Sequence, residues 1–469
     1  MPWREPGHHG RVTSTHAPAN GIHAPSATGP RGLPLLGNLP AFARDPLAFF
    51  CHLRDSYGDW APWSLGPKRS LLVSRPEDVG ELLAGVEVTF SPVDLGWAMH
   101  QVLGEGVVTS TGADWRRKRA LVQPSVRPRQ VRSYAATMVE CADATASAWT
   151  DGQAVDVQQE MTRLTQRIAV RTLFGVETAG REEVVAGAMA VAQQAIGAEL
   201  RGVTVFLPSW IPTPGRRRLR AAVGRLDEEI HRIIAEHQAA SAAGQERDDL
   251  LSRLLTARDE HGAPLSQQEL RDEAVTLYIG GHETTSTTLT WAWHLLSGSP
   301  EARERLDAEL AEVLDGRLPD FDDYARLPFT QAIVKESLRL YPPIWLITAV
   351  SRAGATLGGR PVPEGTTVWA SQWSVHRDRR YFPQPDAFRP ERWDPDAADV
   401  IPDHAWFPFG GGQRTCLGAR FALVEAVLVL AVLAQRFRVE TEPGEVKPHT
   451  GLTLQPSRPI PAVLRSAAR

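Results

Sequence analysis

Cysteine is scarce in this chain. There are three among 469 residues, at positions 51, 141 and 416, and no C-x-x-C pair. That excludes a disulfide framework and a structural zinc ribbon, and it fits a reducing compartment, so a cytoplasmic location is expected. Long apolar runs are missing too: no stretch of about 18 apolar residues is present to span a bilayer. Residues 1–28 are rich in Pro, Gly, His and Ser and lack the apolar segment of a signal peptide. These absences predict a soluble protein with no membrane anchor and a disordered tail over 1–28. An excess of basic charge is also lacking. The net charge is -4, which gives no reason to expect a nucleic-acid partner. No repeat or marked composition break divides the rest, so 29–469 reads as one domain.

Helix signals dominate what is there. A helix carrying Phe49, Phe50 and Leu53 is followed by a short strand at Ser70–Ser74 and a helix from Pro76 to Leu83. The stretch from Phe90 to Gly106 is apolar but irregular. Helices run from Asp114 to about Leu173, and a proline-stiffened connector spans Gly202 to Pro214. Ser266 and Glu269 form a capping box that opens the longest helical stretch. It runs to Leu296, where Ser297-Gly298-Ser299-Pro300 ends it. Two more helices follow, Ala302–Leu314 and Thr330–Leu340, then short strands, the clearest at Thr366–Ser371, and a meander after His376. The fold class is mainly α with small β-sheets (α+β).

Four stretches carry chemistry. Phe409-Gly410-Gly411-Gly412-Gln413-Arg414-Thr415-Cys416-Leu417-Gly418 delivers one cysteine to the start of an apolar helix, Ala419 to Phe437. The partial positive charge of that helix start, with Arg414 nearby, favours a thiolate. A thiolate is a nucleophile or a metal ligand; as a nucleophile it would need His404 or His376 as base. The middle of the long helix, Gly280-Gly281-His282-Glu283-Thr284-Thr285, is poor in helix formers and reads as a polar notch with Glu283 and Thr284 as a proton source. Glu336 and Arg339 are opposite charges on one helix face, and Arg392 in the meander is a candidate third member. Trp115 and Arg119, at i and i+4, can reach one anionic group together.

In this order the stretches resemble the cytochrome P450 family from about Pro30 onward. The signature F-x-x-G-x-R-x-C-x-G is matched at Phe409, Gly412, Arg414, Cys416 and Gly418; [AG]-G-x-[DE]-T-[ST] at Gly280, Gly281, Glu283, Thr284 and Thr285; E-x-x-R at Glu336 and Arg339, with Arg392 as the arginine of P-E-R-[FW]; and W-x-x-x-R at Trp115 and Arg119. The resemblance implies a haem b held between a long distal helix and the proximal cysteine-loop helix, with Cys416 as axial ligand of the haem iron. Phe409 would pack near the sulfur, and Gly412 and Gly418 would let the backbone pass close. Arg414, Arg119, Trp115 and, by a looser match, Arg352 would hold the propionates. Glu336, Arg339 and Arg392 would form a buried structural triad, and Thr284 with Glu283 would be the catalytic alcohol–acid pair that guides protons.

The implied activity is haem-thiolate monooxygenation, with O2 and two electrons from an external partner. A ferredoxin with its NAD(P)H reductase would suit, and an acidic ferredoxin would meet Arg116, Arg117, Lys118 and Arg420. The chain is expected to be a monomer. Trp97, Met99, Phe206, Gly280, Ile344, Ile347 and Leu452 are candidate pocket walls, mostly apolar. They point to a lipophilic substrate of secondary metabolism: terpenoid, polyketide or fatty-acid-like. The alternatives are a haem-thiolate oxidase that couples or desaturates without oxygen insertion, and a non-enzymatic haem sensor.

Overall fold

A computed structural model describes residues 29–175, 187, 191, 210–245, 247–394, 396–397 and 400–467. Its described elements begin with helices α1 (Leu39–Arg44) and α2 (Pro46–Tyr57), strands β1 (Trp60–Leu65) and β2 (Lys68–Val73), helix α3 (Pro76–Gly85) and strand β3 (Phe90–Pro92). There follow α4 (Trp97–Leu103), α5 (Gly112–Val122), α6 (Pro128–Ala148), β4 (Ala154–Asp156), α7 (Val157–Phe174), α8 (Pro214–Ala242) and α9 (Leu250–Thr256). The long helix is α10 (Gln267–Ser297), then α11 (Pro300–Leu314), α12 (Pro328–Leu340), β5 (Ile347–Ser351), β6 (Thr356–Leu357), β7 (Arg360–Pro361), β8 (Thr367–Ala370) and α13 (Gln372–Val375). The chain closes with α14 (Ala419–Arg436), β9 (Phe437–Thr441), β10 (Pro448–Thr450), β11 (Leu454–Pro456) and β12 (Pro461–Ser466).

Helix α10 forms where its ends are most clearly encoded. Ser266 Oγ accepts from the Glu269 backbone N–H, and the Glu269 carboxylate accepts from the Ser266 N–H, closing the expected capping box. At 31 residues it runs roughly 45 Å. Its weak helix formers stay helical because their hydroxyls are satisfied within the helix. Thr284 donates to Gly280 O, Thr285 to Gly281 O, Thr288 to Thr284 O and Thr290 to Ser286 O. Buried residues occur on every side of α10, from Leu270 to Leu296, so tertiary packing outweighs its propensity. Helix α14 is likewise buried all round from Val424 to Ala434 and shares one core with α6, α7, α10 and α12.

The larger sheet has strand order β1-β2-β8-β5-β3, with β2 and β8 parallel and the other neighbours antiparallel. Strand β1 contains Pro62, which hides it from pattern reading; it is tolerated because β1 is the sheet edge. A second sheet, β4-β12-β9, gathers the chain's end, and β10 and β11 make a separate two-stranded hairpin. The stretch Phe90–Gly106, read as irregular, contains strand β3 and helix α4. Its glycine boundaries, Gly96 and Gly104, leave only two turns between them, too few for a periodic signal.

Candidate active site

The cysteine loop is set by its own backbone and by α3. The Cys416 N–H donates to Phe409 O at 2.9 Å, closing the loop. Gly412 has φ +61, and a Cβ there would stand 2.2 Å from Leu83 O, so the loop lies directly on the end of α3. At Gly418 the nearest atom to a Cβ would be Cys416 Sγ at 3.9 Å, an ordinary contact. A side chain is thus excluded by neighbouring protein backbone at Gly412, whereas at Gly418 the protein leaves room for one. The Phe409 ring packs edge-on to Trp406, which tilts against Trp393.

The electrostatics depart from the sequence reading. Although Cys416 is solvent-accessible, it lies deep in the fold, and that burial raises its thiol above the ordinary value. The Gly418 N–H, Arg119 and the Ala419 N–H oppose the rise without reversing it. The helix start acts in the expected direction but is outweighed by desolvation. Arg414 adds nothing to the thiolate, because it is committed elsewhere. Its guanidinium donates to Glu87 Oε1 at 2.6 and 2.9 Å and to Ser110 O at 2.5 Å. Glu87 is a buried carboxylate that also accepts from the Gly112 N–H at 3.0 Å.

Arg119 differs from Arg414. It is half-buried and donates to Thr415 O at 2.9 Å, beside Cys416. No carboxylate bonds it among the described residues, and desolvation lowers its pKa. The Trp115 ring is buried, with the Arg414 and Arg119 guanidinium carbons 4.7 and 5.7 Å from its centroid. Arg352 lies at the exposed end of β5, where it donates to Ser91 Oγ and Val88 O. None of its described contacts reaches the cysteine loop.

On the long helix, Gly280 is exposed and Gly281 half-exposed although their neighbours along α10 are buried, and a Cβ on either would meet open space. Thr284 borders this notch. Glu283, the next residue round the helix, is buried and faces elsewhere. Its Oε1 accepts from Thr453 Oγ1 at 2.7 Å and from Gln455 Nε2 at 3.1 Å. The expected acid and alcohol are thus neighbours in sequence that turn to different surroundings.

Glu336, Arg339 and Arg392 come together completely buried. Arg339 donates to both Glu336 oxygens at 2.8 and 2.9 Å, and Arg392 Nε to Oε1 at 3.0 Å. Trp393 Nε1 and the Arg389 N–H add two more donors to Glu336. Arg339 also donates to His376 O, Pro385 O and Ala387 O, fastening the meander to α12.

A family model of cytochrome P450 matches residues 27–461. The chain belongs to the cytochrome P450 family. Monooxygenase activity and a haem cofactor follow from that membership. Among its relatives is cyclooctatin synthase of Streptomyces melanosporofaciens, 37% identical over 96% of this chain and 98% of that one. Cyclooctat-9-en-7-ol 5-monooxygenase of the same organism is 36% identical, over 93% and 95%. Pentalenene oxygenase of Streptomyces avermitilis is 35% identical, over 90% and 93%. None of these names supports the sensor or the oxidase without oxygen insertion.

The residues present fit a haem. A P450 haem needs an accessible sulfur, a gap in the distal helix and cations for its propionates; Cys416, the open space at Gly280 and Gly281, and the carboxylate-free Arg119 meet those needs. The nucleophile reading finds no base. His376 is fully buried, its Nε2 accepts from the Phe407 N–H, and burial holds its pKa well below the ordinary value. His404 is exposed and stands against Gly80.

Of the expected pocket walls, Ile347 is brought to the P450 cysteine loop, its Cδ1 3.4 Å from where a Gly410 Cβ would be. Leu452 is half-buried against the main core, and Ile344 is exposed. Trp97 turns under α8, with Arg216 and Arg220 over its ring, and Met99 is buried in the core. Phe206 lies outside the described residues. The basic patch is largely neutralised. Lys118 is buried and bonded to Asp114 and Glu105 O, and Arg117 is paired with Asp259 and Glu269. Arg420 lies over the Phe321 and Tyr324 rings, and Arg116 alone of the four is exposed. Sequence reasoning missed Glu87, Thr453 and Gln455. No spacing rule joins them to the motifs they serve, which lie more than a hundred residues away.

Among the described residues no helix is long and apolar enough to cross a membrane.

Proposed function

We propose that this P450 oxidises a cyclic terpenoid, hydroxylating an unactivated carbon, with haem b as cofactor and a ferredoxin and NAD(P)H reductase as electron source. The carrying observation is an accessible Cys416 on a glycine-shaped loop together with a largely buried long helix whose middle opens at Gly280 and Gly281. The terpenoid class rests on the relatives named for cyclooctatin, cyclooctat-9-en-7-ol and pentalenene. The apolar Ile347, which stands against the cysteine loop, agrees with it.

When bound, the haem supplies reductive activation of dioxygen and the hard oxidation chemistry. The chain's own residues do the rest. Cys416 would hold the iron as thiolate, giving up the proton that burial otherwise favours. Arg119 and Trp115 hold a propionate, with Arg414 keeping Trp115 and the loop in place through Glu87. Arg352 is a second propionate candidate. Thr284 offers its hydroxyl at the notch, and Glu283 supplies the proton. Glu336, Arg339 and Arg392 fix the meander behind the loop. The enzyme works as a cytoplasmic monomer, and Arg116 is the exposed cation for an acidic ferredoxin.

Reduced protein exposed to carbon monoxide is expected to show the red-shifted Soret band of thiolate ligation, and Cys416→Ser to lose it. Cyclic terpene hydrocarbons and alcohols are expected to shift the iron spin state on binding. A normal thiolate band with no response to terpenoids, but a response to fatty acids, would overturn the substrate class while leaving the enzyme class intact.

A further inference from the structure

We propose that Thr453 and Gln455 are positioning residues for Glu283, holding its carboxylate on the hairpin side of α10 and so setting how readily it gives up the proton that Thr284 relays. The inference rests on the reading of Glu283 and Thr284 as the proton-supplying pair.

Strand alternation places the two donors together. Residues 453 and 455 point to one side of the hairpin and Leu454 to the other. Thr453 Oγ1 and Gln455 Nε2 both donate to Glu283 Oε1, at 2.7 and 3.1 Å. The ionised Glu283 carboxylate can only accept, which sets the Gln455 amide nitrogen toward it. The amide oxygen then accepts from Gln158 Nε2 at 3.4 Å. The hairpin is itself anchored on both edges of Leu454. Trp291 Nε1, on α10, donates to Leu454 O at 2.9 Å, and the Leu454 N–H donates to Pro343 O at 2.9 Å. Thr453 and Leu454 are buried, so water does not compete for these bonds.

The hold matters because Glu283 and Thr284 are adjacent on a helix and their side chains diverge by about 100°, so the hairpin side sets how readily the carboxyl gives up its proton. Hydroxyl and amide donors fix its position without adding a charge, whereas an arginine would bind it as a salt bridge. The neighbouring titratable groups are distinguishable. His282 donates Nδ1–H to Tyr278 O and burial holds its pKa at about 4, so it stays neutral. His449 stands opposite Gln455 across the hairpin and is the group to control for.

The test uses the full chain with Thr453→Val, Gln455→Leu, the double variant, the conservative Thr453→Ser, and His449→Gln as control. The protonated-carboxyl infrared band of Glu283, assigned by its loss in Glu283→Gln, is titrated with and without haem. Removing a donor to the ionised form is expected to raise the band's midpoint by about one pH unit, with Thr453→Ser restoring it. In haem-loaded enzyme turning over substrate, the fraction of electrons reaching product is expected to fall about two- to threefold, with its pH profile displaced in the same direction. An unchanged midpoint and pH profile in both single variants would overturn the anchor. If Thr453→Val does not fold, Gln455→Leu and Thr453→Ser carry the same decision. If the protein oxidises no substrate but the midpoint still moves, the anchor stands and the functional reading fails.

Discussion

Two buried glutamates mark the two sides of this P450, and they are held in opposite ways. Glu336, behind the cysteine loop, receives two guanidiniums, an indole and a backbone N–H. Glu283, on the distal helix, receives a threonine hydroxyl and a glutamine amide. The first arrangement neutralises charge with charge and ties the meander to α12. The second orients a carboxylate and leaves its charge uncompensated by those donors. The proximal side is therefore built as a frame and the distal side as a working surface. The frame reaches the sulfur through packing: Trp393 binds Glu336, tilts against Trp406, and Trp406 meets Phe409, whose carbonyl accepts from Cys416.

The strongest way to break the comparison is Glu336→Gln. Two buried guanidiniums would lose their counter-charge, and a loss of about 3–5 kcal/mol is expected, seen as a lowered denaturant midpoint and poor haem retention. A variant as stable as the parent would show that the meander is not a frame. The next effect concerns Glu273, a further buried acid on α10. Burial raises its pKa from 4.5 to about 7, with Val107 N–H and Lys118 opposing. A carboxyl whose folded pKa is raised weakens the fold as pH climbs from the unfolded value to the folded one. Stability should therefore fall between pH 4.5 and about 7, and Glu273→Gln should recover on the order of 3 kcal/mol at pH 8, measured by urea unfolding at several pH values. A pH-independent difference would remove the carboxyl as its cause.

Gly412→Ala should cost about 2 kcal/mol, because its backbone is left-handed and Leu83 O blocks a methyl. Thermal unfolding checks this, and haem loading should fall with it, since the loop must lift from α3. The smallest effect on stability, under about 1 kcal/mol, is expected for Thr284→Ala, which borders open space. Its effect should appear instead in coupling, as electrons consumed without product. Destabilisation without uncoupling would mean that the distal side is also frame.

Much of this was legible beforehand. The ends of α10 were readable from Ser266, Glu269 and Pro300, because capping and termination are local interactions among residues a few positions apart. The E-x-x-R contact was readable for the same reason, since a helix places i and i+3 together. Strand β1 was not, because Pro62 breaks the pattern and only an edge position permits it. The electrostatic reading of Cys416 had the helix start acting in the right direction but counted Arg414 in place of Arg119 and left out desolvation, which depends on everything packed around the sulfur.

By itself, then, the sequence determined the family and the helical frame. These depend on signals carried within short windows of chain. Tertiary structure alone decided the partners. It gave Arg414 to Glu87, withdrew Lys118 and Arg117 from the surface patch, left Arg119 without a carboxylate among the described residues, and set Thr453 and Gln455 on Glu283. Hydrogen bonds and charge pairs act over a few ångströms of space, and no count of residues along the chain measures that distance.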